Sequence, residues 1–76
     1  MNHQRVVMDP KIMFGKPVIK GTRVTVELVL RKLAEGMTDE QILAHNPQLK
    51  IEDIRAAAAF AADHLANEEI IVASQG

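Results

Sequence analysis

Residues 37–54 read MTDEQILAHNPQLKIEDI, a stretch that contains two helix starts on either side of a helix stop. The first start is a capping box, because the Thr38 hydroxyl can accept from the backbone of Gln41 while the Gln41 side chain reaches back to the backbone of Thr38. Met37 and Ile42 occupy the two positions of a hydrophobic staple around this start. The pattern predicts a helix that begins immediately after Thr38.

The helix stop and the second start follow directly. Asn46-Pro47 disfavours helical geometry at its first residue, so the helix should end near His45. Leu49 and Ile54 form a second staple around the next start. Lys50 stands where a Ser or Thr cap is expected, and we expect the weaker cap to cost about 1 kcal/mol.

The last helix is expected over about Ile51–Ala66 and has apolar residues on two sides. One side carries four of them: Ile54, Ala58, Ala61 and Leu65. The other carries Ala57 and Phe60, flanked by Asp53 and His64. A helix with more than one apolar side must bury more than one side. We therefore expect Ala57, Phe60 and His64 to form a dimer interface; the alternative is that the N-terminal residues cover this face.

Another helix is predicted ahead of the capping box. Thr25 is a suitable N-cap, and Gly36 is placed to end the helix in a left-handed conformation. Between them runs one apolar stripe: Val26, Val29, Leu30 and Leu33.

The N-terminal third contains short β-prone runs separated by breakers. Val6-Val7-Met8 ends at Asp9-Pro10, and Ile12-Met13-Phe14 and Pro17-Val18-Ile19 are expected as two further short strands. Pro17 fits only an edge or a strand start. Ile70-Ile71-Val72 could add a strand to the N-terminal one or form a frayed tail.

These elements predict a mainly α fold, a three-helix, helix-turn-helix-like core with a short N-terminal β element. Residues 1–76 are expected to form a single domain. Residues 5–23 would form a basic β or extended arm, residues 25–66 the three-helix core, and residues 67–76 a tail or short strand.

The composition favours an oligomer. Of the 76 residues, 47% are hydrophobic and none is cysteine, so disulfides and thiolate metal sites are excluded. A core this small cannot bury so much apolar surface, which predicts a homodimer or an obligate partner; a monomer stays open because many of these residues are alanine. The longest apolar run, residues 56–62, is far shorter than the ~20 residues of a membrane span, and the N-terminus lacks a secretion signal. We expect a cytoplasmic protein without membrane association.

Charge is unevenly distributed along the chain. Residues 1–32 carry seven cations and two anions, a charge of +5, whereas residues 33–76 carry −6. Such asymmetry indicates either nucleic-acid contact by the basic half or docking between oppositely charged surfaces of subunits.

The basic half centres on residues 15–23, GKPVIKGTR. This segment differs from a phosphate-binding P-loop because its second lysine precedes the second glycine instead of following it. An anion-binding loop at the start of the following helix and an ordinary basic turn both stay open. We predict nucleic-acid or partner contacts by seven cations: Lys11, Lys16, Lys20, Arg23, Arg31, Lys32 and Arg55.

The two final helices have the order of a helix-turn-helix, with the last helix in the recognition position. Glu52 and Asp53 at its start should repel phosphates, and only Arg55 offers a base-reading cation nearby. We therefore expect any nucleic-acid contact to be made by the basic segment of residues 11–23, with Arg31 and Lys32, instead of by the last helix.

No catalytic site is expected. His3, His45 and His64 lack metal-ligand spacing, and Ser74 is isolated near the C-terminus. The adjacent acidic pairs Glu52-Asp53 and Glu68-Glu69 are expected to be solvated charges, because neighbouring positions point to different sides of a helix. We expect no metal and no cofactor.

The sequence resembles the domain of unknown function 433 family from about residue 6 to residue 65. The resemblance rests on Asp9-Pro10 and on residues 15–23, 33–36 (LAEG), 47–49 (PQL) and 54–57 (IRAA). This chain departs from the family pattern at Phe14, where glycine is common, at Lys50, where threonine is usual, and at Ala59-Phe60, where a Leu/Ala-Tyr pair is more usual.

The resemblance implies a homeodomain-like helical core in a small bacterial protein without established catalytic residues. Many members look like VapB-type antitoxins, whose partner toxin is a PIN-like ribonuclease. It implies an antitoxin-like module that binds such a toxin and operator DNA. Two alternatives stay open: an interaction dimer with no nucleic-acid role, and a small-anion or nucleotide binder that uses residues 15–23.

Overall fold

A computed structural model describes residues 3–67 of the chain. Two short strands, β1 (Val6–Val7) and β2 (Val18–Ile19), precede three helices: α1 (Val26–Ala34), α2 (Asp39–His45) and α3 (Ile51–Ala66). The prediction of a mainly helical fold with a short N-terminal β element is confirmed. The predicted strand at residues 70–72 lies outside the described residues.

The two strands form an antiparallel sheet that is tied to the first helix. Val6 pairs with Ile19 and Val7 with Val18, and Val18 also bridges to Thr25 at the start of α1. Because β2 lies between β1 and Thr25, the arm is fixed against the helical core.

The predicted strand over Ile12-Met13-Phe14 is wrong. Met13–Gly15 form a 3₁₀ turn in which φ is 48° at Met13 and 59° at Phe14. The amides of this segment are used in successive turns: Ile12 donates to Asp9, and Gly15 donates to Ile12. Residues 8–17 have to connect two antiparallel strands, and turn hydrogen bonds override the β propensity of the side chains.

Both ends of α1 follow their predicted signals. The Thr25 hydroxyl accepts from the backbone N–H of Leu28 at 3.0 Å. At the other end Gly36 has φ +90°, and the N–H of Met37 donates to Lys32 O at 3.1 Å. This arrangement is a Schellman motif, in which glycine is favoured because a Cβ disfavours positive φ.

The capping box of α2 is confirmed. The Gln41 N–H donates to Thr38 Oγ1 at 3.1 Å, and the Thr38 N–H donates to Gln41 Oε1 at 2.9 Å. The helix ends at His45, as the following Asn-Pro pair predicts. A turn over residues 46–50 then leads into α3.

One hydrophobic core lies between the three helices and the sheet. Its buried members are Val6, Ile19, Val24, Val26, Val29, Ile42, Leu49, Ile54 and Ala57. Met37 packs against this cluster, so both predicted staples bring their apolar partners to the same core.

The predicted division of α3 into two apolar faces requires correction. Ile54 and Ala57 both point into the core, because residues three apart share one side of a helix, whereas Ala58 is exposed. Ala57 is 0% exposed within the single chain and is a core residue, not a dimer-interface residue. The helix packs against α1 and β1, which is the alternative in which the N-terminal residues cover this face.

Candidate nucleic-acid interface

Asp53 is a buried carboxylate that joins the N-terminal arm to the start of α3. It is 6% exposed; its Oδ2 accepts the Lys50 N–H at 2.9 Å, and its Oδ1 accepts from Arg5 Nη1 at 3.0 Å. The expectation that Asp53 is a solvated charge is wrong. Lys50 gives no side-chain cap, as predicted, since an ammonium group has no acceptor, and Asp53 supplies a capping bond in its place.

This pairing changes the electrostatics at the start of α3. One of the two carboxylates predicted to repel phosphates is neutralised internally by Arg5, and only Glu52 stays exposed. Of the two carboxylates expected to repel DNA phosphates at the start of α3, one is therefore compensated within the chain. Because Arg5 and Asp53 lie 48 positions apart, local pattern reasoning could not find the pair.

Glu27 on α1 engages two of the predicted contact cations. Lys16 Nζ lies 3.4 Å from Glu27 Oε1, and Arg31 Nε donates to Glu27 Oε2 at 3.1 Å. The hydrogen bond from Arg31, together with the charge of Lys16, lowers the pKa of Glu27 below its ordinary 4.5. Lys16 and Arg31 are exposed, yet their charges are partly compensated.

This cluster gives a pH prediction. We expect the carboxyl carbon of Glu27, followed by NMR, to titrate with a pKa below 4.5, and Arg31→Gln to raise it. Because the folded pKa is lower than the unfolded pKa, the stabilisation is complete above 4.5 and is lost as the pH falls through the folded value. Lys32→Gln, on a neighbour that does not contact Glu27, is the control. Identical titrations of Glu27 in wild type and Arg31→Gln would contradict the assignment.

The other predicted contact cations are uncompensated. Within residues 3–67, five of these side chains take part in no hydrogen bond or ion pair: Lys11, Lys20, Arg23, Lys32 and Arg55. Of the seven predicted cations, Lys16 and Arg31 are thus compensated by Glu27, and the other five are free to contact an anionic partner.

Arg23, one of the five uncompensated cations, lies beside the turn between α2 and α3. Gly21, Thr22 and Arg23 line an open cleft of about 570 Å³ together with Ile12 and Gln48. We call residues 20–23 the basic loop. Because Arg23 and Gln48 line the same cleft, the cationic arm lies close to the α2–α3 turn, a proximity that depends on tertiary packing.

The basic loop is held in place by the Thr22 side chain. Thr22 Oγ1 donates to Ile19 O at 2.8 Å and accepts the N–H of Val24 at 3.0 Å. The loop is thereby anchored to β2 on one side and to the residues before α1 on the other. Such anchoring limits the entropy that an arginine contact loses on binding.

Residues 15–23 offer few backbone donors to an anion. The N–H groups of Gly15, Lys16, Ile19, Lys20 and Thr22 all donate to backbone carbonyls. An anion cradle needs successive amides directed at the ligand, so the backbone lends little support to the small-anion alternative.

A second cluster, of aromatic and histidine side chains, lies at the end of α3. His3 Nε2 is 2.8 Å from Asp63 Oδ2, and the His3 ring meets Phe60 edge-on at 5.3 Å. Phe60 also stacks on His64 at 5.9 Å. These contacts fix the N-terminus of the described chain onto α3. No three metal-ligating side chains converge anywhere in residues 3–67.

A two-stranded antiparallel arm on a three-helix core, with a basic loop beside the α2–α3 turn, defines a small, mainly helical domain. The family model described as "Protein of unknown function (DUF433)" matches residues 6–61, and the chain belongs to this family. A DUF433 member protein from Anabaena variabilis has a crystal structure that superposes with a TM-score of 0.76 at 26% identity, covering 82% of this chain and 61% of that one.

Two curated relatives carry no functional description. The uncharacterized protein y4eO of Sinorhizobium fredii is 41% identical over 56 residues, which are 74% of this chain and 25% of that protein. An uncharacterized protein of Archaeoglobus fulgidus is 57% identical over 28 residues, 37% of this chain and 78% of the other. The chain thus spans a quarter of the length of y4eO. No helix within residues 3–67 has the length and hydropathy needed to cross a membrane.

Proposed function

We propose that this chain is a non-catalytic, antitoxin-like module of the bacterial cytoplasm that binds operator DNA as a homodimer. The observation that carries the proposal is the position of Arg23 beside Gln48 in the α2–α3 turn. Two unpaired cations of the basic loop and the start of a recognition-type helix can then contact one stretch of duplex together.

The exposed side of α3 supports this function. Ile51, Arg55, Ala58 and Ala62 follow one another at helical spacing and are all exposed. Alanine side chains let a helix approach the floor of the major groove, where methyl groups meet thymine. Arg55 is the side chain on this surface that can read a guanine edge.

The internal use of Asp53 is the second support. If both acidic residues at the start of α3 faced the phosphates, repulsion would oppose the docking of this helix. The bond from Arg5 to Asp53 removes one of them from the surface. At the start of α3, Glu52 is then the single exposed carboxylate that repels the phosphates contacted by Lys20 and Arg23.

The antitoxin assignment adds a protein partner of the PIN-like ribonuclease class, as the family resemblance implies. Co-expression of this chain with the product of the adjacent reading frame should yield a stable complex and relieve growth inhibition by that product. A neighbour with no effect on growth would remove this part of the proposal and leave DNA binding unaffected.

A salt titration tests DNA binding. We expect the full chain to bind a labelled duplex from its own upstream region, with the logarithm of the association constant falling by about 0.9 per contacted phosphate against the logarithm of salt. Contacts by Lys20, Arg23 and Arg55 number three per protomer and six per dimer, which predicts a slope of roughly −5. Fluorescence anisotropy at several salt concentrations measures it, with a scrambled duplex as the control. Absence of binding at low salt would favour the interaction dimer with no nucleic-acid role.

A further inference from the structure

Phe14 occupies an unfavourable position for a residue of the isolated chain. Its side chain is 94% exposed, and its backbone has φ 59° and ψ 31°. A left-handed backbone conformation is disfavoured for any residue with a Cβ. An aromatic ring exposed to water also lacks the stabilisation that burial of its apolar surface provides. The N–H of Lys16 donates to Met13 O at 3.1 Å and closes the turn. The backbone that carries the ring is therefore held in one conformation.

An unfilled apolar groove lies on the same molecule. It runs between α1 and α3, has a volume of about 510 Å³, and is lined mainly by Pro17, Leu30, Ala34, Phe60, Ala61 and Leu65. Leu65 is 55% exposed. Grooves of this apolar character mark interaction sites more often than plain solvent-facing surface.

Phe14 and the groove are neighbours but do not fill each other. Pro17 forms part of the groove wall and follows Phe14 by three positions. Lys16, between them, contacts Glu27 on the groove rim. Phe14 itself does not line the groove, so the single chain leaves both the ring and the groove unoccupied.

We propose that two copies of this chain pair about a two-fold axis, with the Phe14 ring of each copy inserted into the α1–α3 groove of the other. A two-fold interface requires a surface that complements itself, and an unfilled groove next to an unburied ring meets this requirement. Glu27 and Arg31 both line the groove, so the symmetry also allows each carboxylate to face a guanidinium of the other copy.

The area involved matches a modest interface. A phenylalanine buries roughly 200 Å² and covers a similar area of its pocket, so two insertions remove about 800 Å² from water. Standard interfaces bury about 1,200–2,000 Å², and the exposed Leu65 adds to the total. The expected dimer is therefore reversible. The inference rests on the homodimer of the proposed function, but its test uses no DNA, so the two can fail separately.

Phe14→Gly is the decisive variant. We expect it to raise the dimer dissociation constant at least roughly a hundredfold, because two rings and two grooves lose their apolar contacts. Glycine tolerates positive φ, so the monomer should keep its helical circular dichroism and its melting temperature. Sedimentation of the full chain over a concentration series measures the equilibrium. Leu28→Ser, which removes an exposed apolar residue of α1 outside the groove, should leave the dissociation constant unchanged.

A mixing experiment tests the reciprocity of the insertion. Ala61→Trp should fill the groove and weaken self-association as much as Phe14→Gly does. Mixed together, the two variants should form a heterodimer tighter than either homodimer, because the Phe14 ring of one copy finds the open groove of the other. A monomeric wild type, or a Phe14→Gly variant that dimerises normally, would overturn the proposal.

Discussion

Asp53→Ala should lower the free energy of unfolding by about 2–3 kcal/mol, estimated from a lost helix cap and a lost charge-assisted hydrogen bond. The substitution removes the acceptor for the Lys50 N–H and the partner of Arg5 together. Arg5 is 45% exposed, so water can solvate its freed charge and the cost stays below that of a fully buried pair. Domains of this size hold only about 3–5 kcal/mol, so the variant should lose roughly 40% of its stability or more.

Urea unfolding followed by circular dichroism measures this effect. Glu52→Ala is the matched control: the neighbouring carboxylate in the same helical turn is exposed and takes part in no hydrogen bond or ion pair of the described chain. We expect that control to change the stability by less than about 0.5 kcal/mol. Equal effects of the two substitutions would mean that the Arg5–Asp53 contact contributes nothing specific.

Neutralising the basic loop should weaken DNA binding strongly. The double variant Lys20→Gln/Arg23→Gln removes two unpaired cations, each expected to make a charge-assisted contact. A combined loss of about 2–3 kcal/mol per protomer corresponds to roughly 30- to 150-fold in affinity for each half of the dimer, and the salt slope of the dimer should become shallower by about 4. Neither side chain is part of the core, so unfolding by urea should be unchanged.

Lys16→Gln/Arg31→Gln provides a control that removes the same charge from the compensated pair at Glu27. We expect its affinity for DNA to stay within about threefold of wild type, because Glu27 already compensates both charges in the folded chain. If the two double variants lost affinity equally, binding would depend on overall charge and the assignment to the basic loop would be wrong.

The helical part of the fold could be predicted because its signals are local. Thr25, Gly36 and the capping box at Thr38 act through backbone groups within four or five positions, so each boundary is encoded where it occurs. The strand pair at Val6 and Val18 was predictable only as two β-prone runs. Their pairing register depends on the whole connection between them.

Features that depend on tertiary contact were missed. The burial of Asp53 requires Arg5 from the other end of the chain, and the burial of Ala57 requires the packing of α1 and β1 against α3. The 3₁₀ turn at Met13 contradicts side-chain propensity, because the chain must reverse between two paired strands. The proximity of Arg23 and Gln48 follows from the same packing, so the sequence indicated the cations but not where they meet.

In the proposed function, the basic loop and the start of α3 form one DNA-binding surface. The most direct measurement is the change in backbone amide signals of the ¹⁵N-labelled full chain when duplex from its upstream region is added. We expect the largest shifts at Lys20, Arg23, Gln48 and Arg55, while the signals of Glu27 and Ala34 on α1 change little. Shifts confined to the α1–α3 groove, or no shifts at low salt, would contradict the proposed function.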